Sequence, residues 1–154
     1  MPVTNVRSTW SSGNLLFTDS ASTATNLAVV DATNLLLTHA GSGIGYSAGA
    51  GGVVTQATNR TTGVTLSKAT GQITTNTTSL AAGAEAEFTV TNTLVGATDV
   101  IILNITPGGT GTPFAFVSTV AAGSFKITVT NLHASTADTS ADVINFAIIK
   151  GVIA

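Results

Sequence analysis

The feature that most constrains this chain is a hydrophobic period of two, interrupted by turn-forming clusters roughly every 8–12 residues. In Glu85-Ala86-Glu87-Phe88-Thr89-Val90-Thr91, Ala86, Phe88 and Val90 fall on one side and Glu85, Glu87, Thr89 and Thr91 on the other. Side chains alternate across a strand, so this spacing predicts a half-buried strand and fits no helical face. Phe125-Lys126-Ile127-Thr128-Val129-Thr130 repeats the pattern, and Thr62 to Leu66 and Gln72 to Thr75 give shorter versions. The apolar runs Val100 to Ile105 and Val143 to Ile149 suit central strands buried on both faces, or strands packed at a subunit boundary.

Between these segments lie Thr70-Gly71, Ala82-Gly83, Gly96-Ala97-Thr98-Asp99, Thr106-Pro107-Gly108-Gly109-Thr110-Gly111 and Ala122-Gly123-Ser124. Such regular punctuation predicts an all-β architecture, an antiparallel β-sandwich or jelly-roll-like domain. No long stretch carries a period of 3.6 with caps; Ser79 to Ala82 offers at most one helical turn before Gly83. Residues 41–52, GSGIGYSAGAGG, are half glycine, a density that opposes regular structure and reads as a linker or a close approach of chains. The expected organisation is therefore an N-terminal arm over 1–42, a linker over 43–52 and a β-domain over 53–154. Within the arm, Asn14 to Phe17, Leu27 to Asp31 and Leu35 to His39 read as three short strands with too few apolar residues for a core of their own.

Composition narrows the function classes. Only 8% of the 154 residues are charged, against about 25% in an ordinary soluble domain, while Thr supplies 29 positions. A surface kept wet by hydroxyls and amides rather than charge favours association, so self-assembly is expected. The five basic residues, Arg7, Arg60, Lys68, Lys126 and Lys150, are scattered, which disfavours direct nucleic-acid binding. With no cysteine, disulfides, thiolate metal sites and thiol nucleophiles are excluded. No apolar run approaches the 18 or so residues that span a bilayer as a helix, and residues 1–20 lack a leader pattern, so neither membrane insertion nor secretion is expected.

Candidate catalytic groups fare poorly. Gly43-Ile44-Gly45-Tyr46-Ser47-Ala48 matches a dinucleotide fingerprint in letters, but Gly49-Ala50-Gly51-Gly52 is unfit to open the helix that such a site needs. His39 and His133 lack partners at metal-ligand spacing and read as surface or turn residues. Glu85 and Glu87 point the same way, as a glycosidase pair does, yet nothing nearby supplies a groove or stacking rings, and a solvated strand face is the better reading. No G-x-S-x-G elbow accompanies the many serines. The expectation is a non-enzymatic protein without cofactor or metal.

One long segment carries a resemblance. Gly51 to Lys68, GGVVTQATNRTTGVTLSK, fits a pattern GGxVTQxTxxxTGVTLxK, followed by Gly71-Gln72-Ile73-Thr74, an Ala-Ala-Gly turn with a Phe-Thr-Val strand within Leu80 to Thr91, the Asp99 to Leu103 run, and the ending Asn145 to Lys150. This ordered series over residues 43–154 resembles the C-terminal β-domain of tailed-bacteriophage structural proteins. In many similar chains the module caps a long fibre, whereas only about 42 residues precede it here. The resemblance therefore implies a capsid decoration (cement) protein on the outer surface of the virion head, made in the host cytoplasm. Its expected partners are the major capsid protein and copies of itself, as a homotrimer.

On that reading the capsid-facing residues are Trp10, Leu15, Leu16, Phe17, Leu27, Val29, Leu35 and Leu37, on strand edges able to extend a neighbour's sheet. The alternative is a fibre-tip module that recognises host surface glycan through the loops Pro107 to Pro113 and Asn131 to Asp142.

Overall fold

A computed structural model describes the strand backbones within residues 6–36 and residues 44–46 and 48–153 in full. The chain forms two compact units, Met1–Gly45 and Tyr46–Ala154. Among the described residues there is no helix, and none therefore long and apolar enough to cross a membrane.

The first unit is an antiparallel meander of four strands in the order β1-β2-β3-β4: β1 (Val6–Ser11), β2 (Asn14–Asp19), β3 (Asn26–Val30) and β4 (Leu35–Leu36). Trp10 pairs with Leu15, Leu16 with Val29, and Val30 with Leu35. β1 was not expected from the sequence. Its presence corrects the expectation that Leu15 to Phe17 offers a free edge, because β2 lies between β1 and β3, while β3 is paired by β4 only at Val29 and Val30.

The second unit is a sandwich of two mixed four-stranded sheets. Sheet I has the order β5-β7-β12-β9 and sheet II the order β10-β11-β8-β6. Their strands are β5 (Val53–Thr55), β6 (Val64–Thr65), β7 (Thr70–Thr74), β8 (Glu85–Thr91), β9 (Val100–Thr106), β10 (Pro113–Ala121), β11 (Ser124–Asn131) and β12 (Val143–Ile149). The all-β sandwich agrees with the sequence reading. The wholly antiparallel arrangement is corrected, since β5 runs parallel to β7 and β6 parallel to β8. The cause lies in the connections: from β5 to β8 the chain alternates between sheets, so each strand meets its sheet neighbour only after a crossover, which leaves the pair parallel.

Alternation places the core. Ala86, Phe88 and Val90 of β8 and Phe125, Ile127 and Val129 of β11 point inward from sheet II, to meet Ile73 of β7 and Ile144, Phe146 and Ile148 of β12. Each is nearly or wholly buried, and burial of one such side chain contributes about 1.5–3 kcal/mol. Phe125 and Phe146 meet edge to face across the two sheets at 5.4 Å. The ladder sets Gly71 opposite Phe146, and a Cβ there would lie 2.6 Å from the Phe146 ring. Only glycine leaves room for that ring.

The two apolar runs differ in position. β12 is central and β9 is an edge strand, but neither is buried on both faces: Ile144, Phe146 and Ile148 of β12 and Ile101, Leu103 and Ile105 of β9 pack in the core, while Ile149, Val100 and Ile102 stay more than half exposed. β5 and β10 were not expected from the sequence. In β10 the register shifts between Val117 and Thr119, a bulge that breaks the two-residue period.

Candidate functional site

Loops at one end of the sandwich converge on a single buried cation. The turn after β5 carries Arg60, the segment after β7 carries Thr75 and Thr78, and the β11–β12 connection carries Asp138, Ser140 and Asp142. Arg60 Nη1 lies 2.9 Å from Asp142 Oδ2 and Nη2 lies 3.1 Å from Asp138 Oδ2. The guanidinium also donates through Nε to Thr78 O at 2.6 Å and through Nη2 to Ser140 O at 2.7 Å. Arg60 is 4% exposed and both carboxylates are 0% exposed.

The surroundings supply further bonds, although Asp138 Oδ2 has only its ion pair with Arg60 and no hydrogen-bond partner among the described residues. Asp142 Oδ1 accepts from Gly108 N–H at 2.9 Å, Asp138 Oδ1 accepts from Ser140 N–H at 3.0 Å, and Asp142 N–H donates to Thr75 Oγ1 at 2.8 Å. Gln56 Nε2 donates to Arg60 O and Thr62 O, fixing the turn that presents Arg60. Asn131, wholly buried, donates to Leu80 O and Thr136 O and accepts from Thr112 N–H and His133 N–H. Gly111, at φ +70°, passes so close that a Cβ there would lie 2.6 Å from Asp138 Cβ.

Two carboxylates share one guanidinium, so the cluster carries a net negative charge out of water. Burial pushes the Asp142 carboxyl above the usual carboxylate range, and the neighbouring Asp138 acts in the same direction, against bonds from Gly108 and Arg60. Enclosed in this way, the cluster has no face for a substrate; it ties four loops to each other. The Asn131 to Asp142 segment is thus held by its buried Asn131, Asp138 and Asp142, although Leu132 and Ala134 to Thr136 stay exposed.

The outer face of sheet II presents a second arrangement. Phe114 and Phe116, two apart on edge strand β10, stack at 6.3 Å between centroids and are 52% and 39% exposed. Across the ladder, Phe116 faces Thr128, which faces Glu87, and Phe114 faces Thr130, which faces Glu85. Glu87 takes an ion pair from Lys126 at 2.7 Å and a bond from the Ser118 hydroxyl at 2.7 Å, and the Lys126 bond chiefly holds its carboxyl below the usual range. Glu85 accepts from Thr130 at 3.1 Å. The result is an aromatic shelf beside an ordered polar row.

At the far end of sheet I, Asp99 joins the start of β9 to the chain beyond β12. Its carboxylate accepts from Gly96 N–H at 2.8 Å, Gly151 N–H at 3.1 Å and the Lys150 ammonium at 2.5 Å. The Gly96 amide and Lys150 hold its carboxyl down to about 2. Nearby, an apolar cleft of about 330 Å³ is lined by Tyr46, Ala69, Leu94, Ile148 and Lys150. The Tyr46 hydroxyl donates to Ile148 O and Lys150 to Leu94 O, so the polar groups around the cleft already have partners.

Of the residues singled out by sequence, Glu85 and Glu87 lie on an exposed strand face. His133 serves its own turn, with Nδ1 accepting from Ser135 N–H and Thr136 N–H. His39, Gly43 and Ser47 lie outside the described residues, and Ile44 to Tyr46 form no regular element. Trp10 is on β1, Leu15, Leu16 and Phe17 on β2, Leu27 and Val29 on β3 and Leu35 on β4, while Leu37 lies outside the described residues. Among the described residues, no group of three or more His, Asp or Glu side chains is placed to hold a metal.

Sequence reasoning missed the Arg60 cluster and Phe116. Alternation around Phe114 and Phe116 was the available signal for the shelf. No local pattern announces the cluster, whose members come from distant turns. Comparison with known proteins gives no match to any family model, curated protein or solved structure.

Proposed function

We propose that this chain is a structural protein of a tailed-bacteriophage virion that decorates the outside of the head, binding across major capsid subunits as a homo-oligomer, a trimer in its simplest form. The observation that carries the reading is that the motif series resembling phage β-domains falls within one sandwich, and that its special residues serve the fold. Gln56 and Arg60 build the clasp, and Gly71 admits the Phe146 ring. What is left for function is surface: sheet faces, edges and the preceding meander.

In this reading residues 1–42 act as the capsid-facing arm and the sandwich projects outward, with no chemical step assigned to the chain. The edge strands of the meander are β1 and β4. Many modest contacts repeated over a shell add up through avidity. The test is addition of purified full-length protein to undecorated heads. Saturable binding at a fixed copy number, with a rise in head melting temperature, supports the reading; binding to host cells with none to heads overturns it.

The aromatic shelf favours a second reading, a fibre-tip module for host glycan. Sugar rings stack on exposed aromatic faces while their hydroxyls bond to adjacent polar groups, and Phe114 and Phe116 beside Glu85, Glu87 and Lys126 offer both. This moves the glycan site from the loops to the face of sheet II. A glycan array that shows saturable binding, lost in Phe114→Ser and Phe116→Ser, selects this reading over the first.

A further inference from the structure

We infer that the outer face of sheet I is the surface through which copies of this chain meet. The inference deepens the homo-oligomer part of the function proposed above, and it is open to failure on its own.

The two outer faces of the sandwich differ in kind. Sheet II carries Glu85, Glu87 and Lys126 outward. Sheet I carries no charged residue on its outer face, as its register shows. Val100 stands opposite Ile149 and Ile102 opposite Ala147, then a row follows of Asn104, Asn145 and Gln72, and then a row rich in threonine. Val100, Ile102 and Ile149 are 56%, 52% and 51% exposed and form one apolar corner. The charges that flank this corner, Asp99 and Lys150, neutralise each other in an ion pair.

That pattern suits a second copy better than an unlike partner. When copies meet through a common surface, groups near a symmetry axis face their own kind, so a charge there meets a like charge. Amides and hydroxyls carry both donor and acceptor and therefore complement themselves. Gln72 and Asn145 already bond to one another across strands at 3.2 Å in this way. An acidic or basic partner would find nothing on this face to pair with, whereas an identical face offers apolar groups to the corner and amides to the amide row.

Area sets the strength. At the spacing of a β-sheet, the strands of sheet I cover about 350 Å² of flat footprint, less than half of the roughly 800 Å² per partner in a standard stable complex. Association through this face is accordingly concentration-dependent in solution, and stronger where many copies are held together.

Sedimentation of the full chain over a range of concentrations tests this. The expected result is a mean mass that rises with concentration above the 15.3 kDa of one chain. Ile102→Glu should weaken association on the order of 100-fold, because like charges are forced together at the contact. Thr119→Glu, on the outer face of sheet II, should leave it unchanged. Val100→Glu gives the same reading if Ile102→Glu does not melt cooperatively. Undiminished association of these folded sheet I variants overturns the inference and leaves self-association in place through another surface. A wild-type chain that stays monomeric at every concentration overturns both the inference and the homo-oligomer reading, while binding to undecorated heads tests decoration separately.

Discussion

Arg60 and Asp142, separated by 82 positions, meet at 2.9 Å with neither exposed to solvent by more than a few per cent. The contact joins the turn after β5 to the residue that precedes β12, and Asp138 places a second carboxylate on the same guanidinium. A planar fork of donors suits two acceptors at once, and backbone carbonyls of Thr78 and Ser140 take further bonds. In a chain with so few charges, three of them are spent inside one clasp.

Arg60→Met should therefore be far more costly than the loss of one ordinary ion pair. It leaves two carboxylates buried beside each other without a cation, a change of about 3–5 kcal/mol. Asp142→Asn retains Arg60 with Asp138 and removes the surplus negative charge, so its cost should stay near the 1–3 kcal/mol of a disturbed buried hydrogen bond. Urea unfolding of the sandwich monitored by circular dichroism gives both values. Equal costs for the two variants would show that the guanidinium is not the element holding the loops.

Two carboxyls act oppositely on stability as pH falls. Asp142 has its folded value raised above the ordinary 3.8, so the folded chain binds that proton more tightly than the unfolded chain. Stability from this group rises as pH drops through the folded value and the gain is complete below 3.8. Asp99, lowered to about 2, contributes stability above 3.8 that is lost as pH falls from there through about 2. Urea midpoints should thus pass through a maximum on the acidic side of neutrality. Asp142→Asn should remove the rise, and Asp99→Asn should flatten the decline below 3.8.

How much of this was legible depends on range. β8 and β11 were readable because their inward residues recur at strict twos, a signal carried within each strand. β10 was hidden by Pro113 at its start and by the bulge at Ser118, which returns Val120 to the core out of phase with Ala115 and Val117. The parallel pairs β5–β7 and β6–β8 depend on which sheet each short strand joins, a choice made by packing of Val54, Val64 and Leu66 rather than by the strands themselves. The Arg60 cluster was least legible of all. Asp138 and Asp142 sit in a Ser- and Thr-rich segment that reads as an exposed loop, and only the fold brings them to an arginine some 80 positions away.

Lys126→Met provides the contrast to Arg60→Met. Lys126 and Glu87 meet at 2.7 Å, closer than either Arg60 pair, but their side chains are 45% and 42% exposed. Water already solvates both groups, so removal should leave the urea midpoint almost unchanged. Raising the salt concentration should shrink even that difference, while the effect of Arg60→Met persists. A large, salt-insensitive loss in Lys126→Met would mean that distance rather than burial governs the strength of ion pairs in this sandwich.

Gly71→Ala tests whether sheet I is packed as tightly as its ladder implies. A Cβ at this position would lie 2.5 Å from Leu66 Cδ2 and 2.6 Å from Phe146 Cε1. Leu66 is only partly buried and its terminal methyl is free to turn, but Phe146 is held on its other side by Phe125. The ring has nowhere to go, so the substitution should cost about 1–3 kcal/mol through strain. Shortening the ring isolates the cause. In a Phe146→Leu background, which is itself destabilised, adding Gly71→Ala should cost less than half as much as it does alone, since neighbours that share one clash are non-additive. If the alanine is equally costly in both backgrounds, the burden lies in the backbone of β7 and not in the space beneath the aromatic ring.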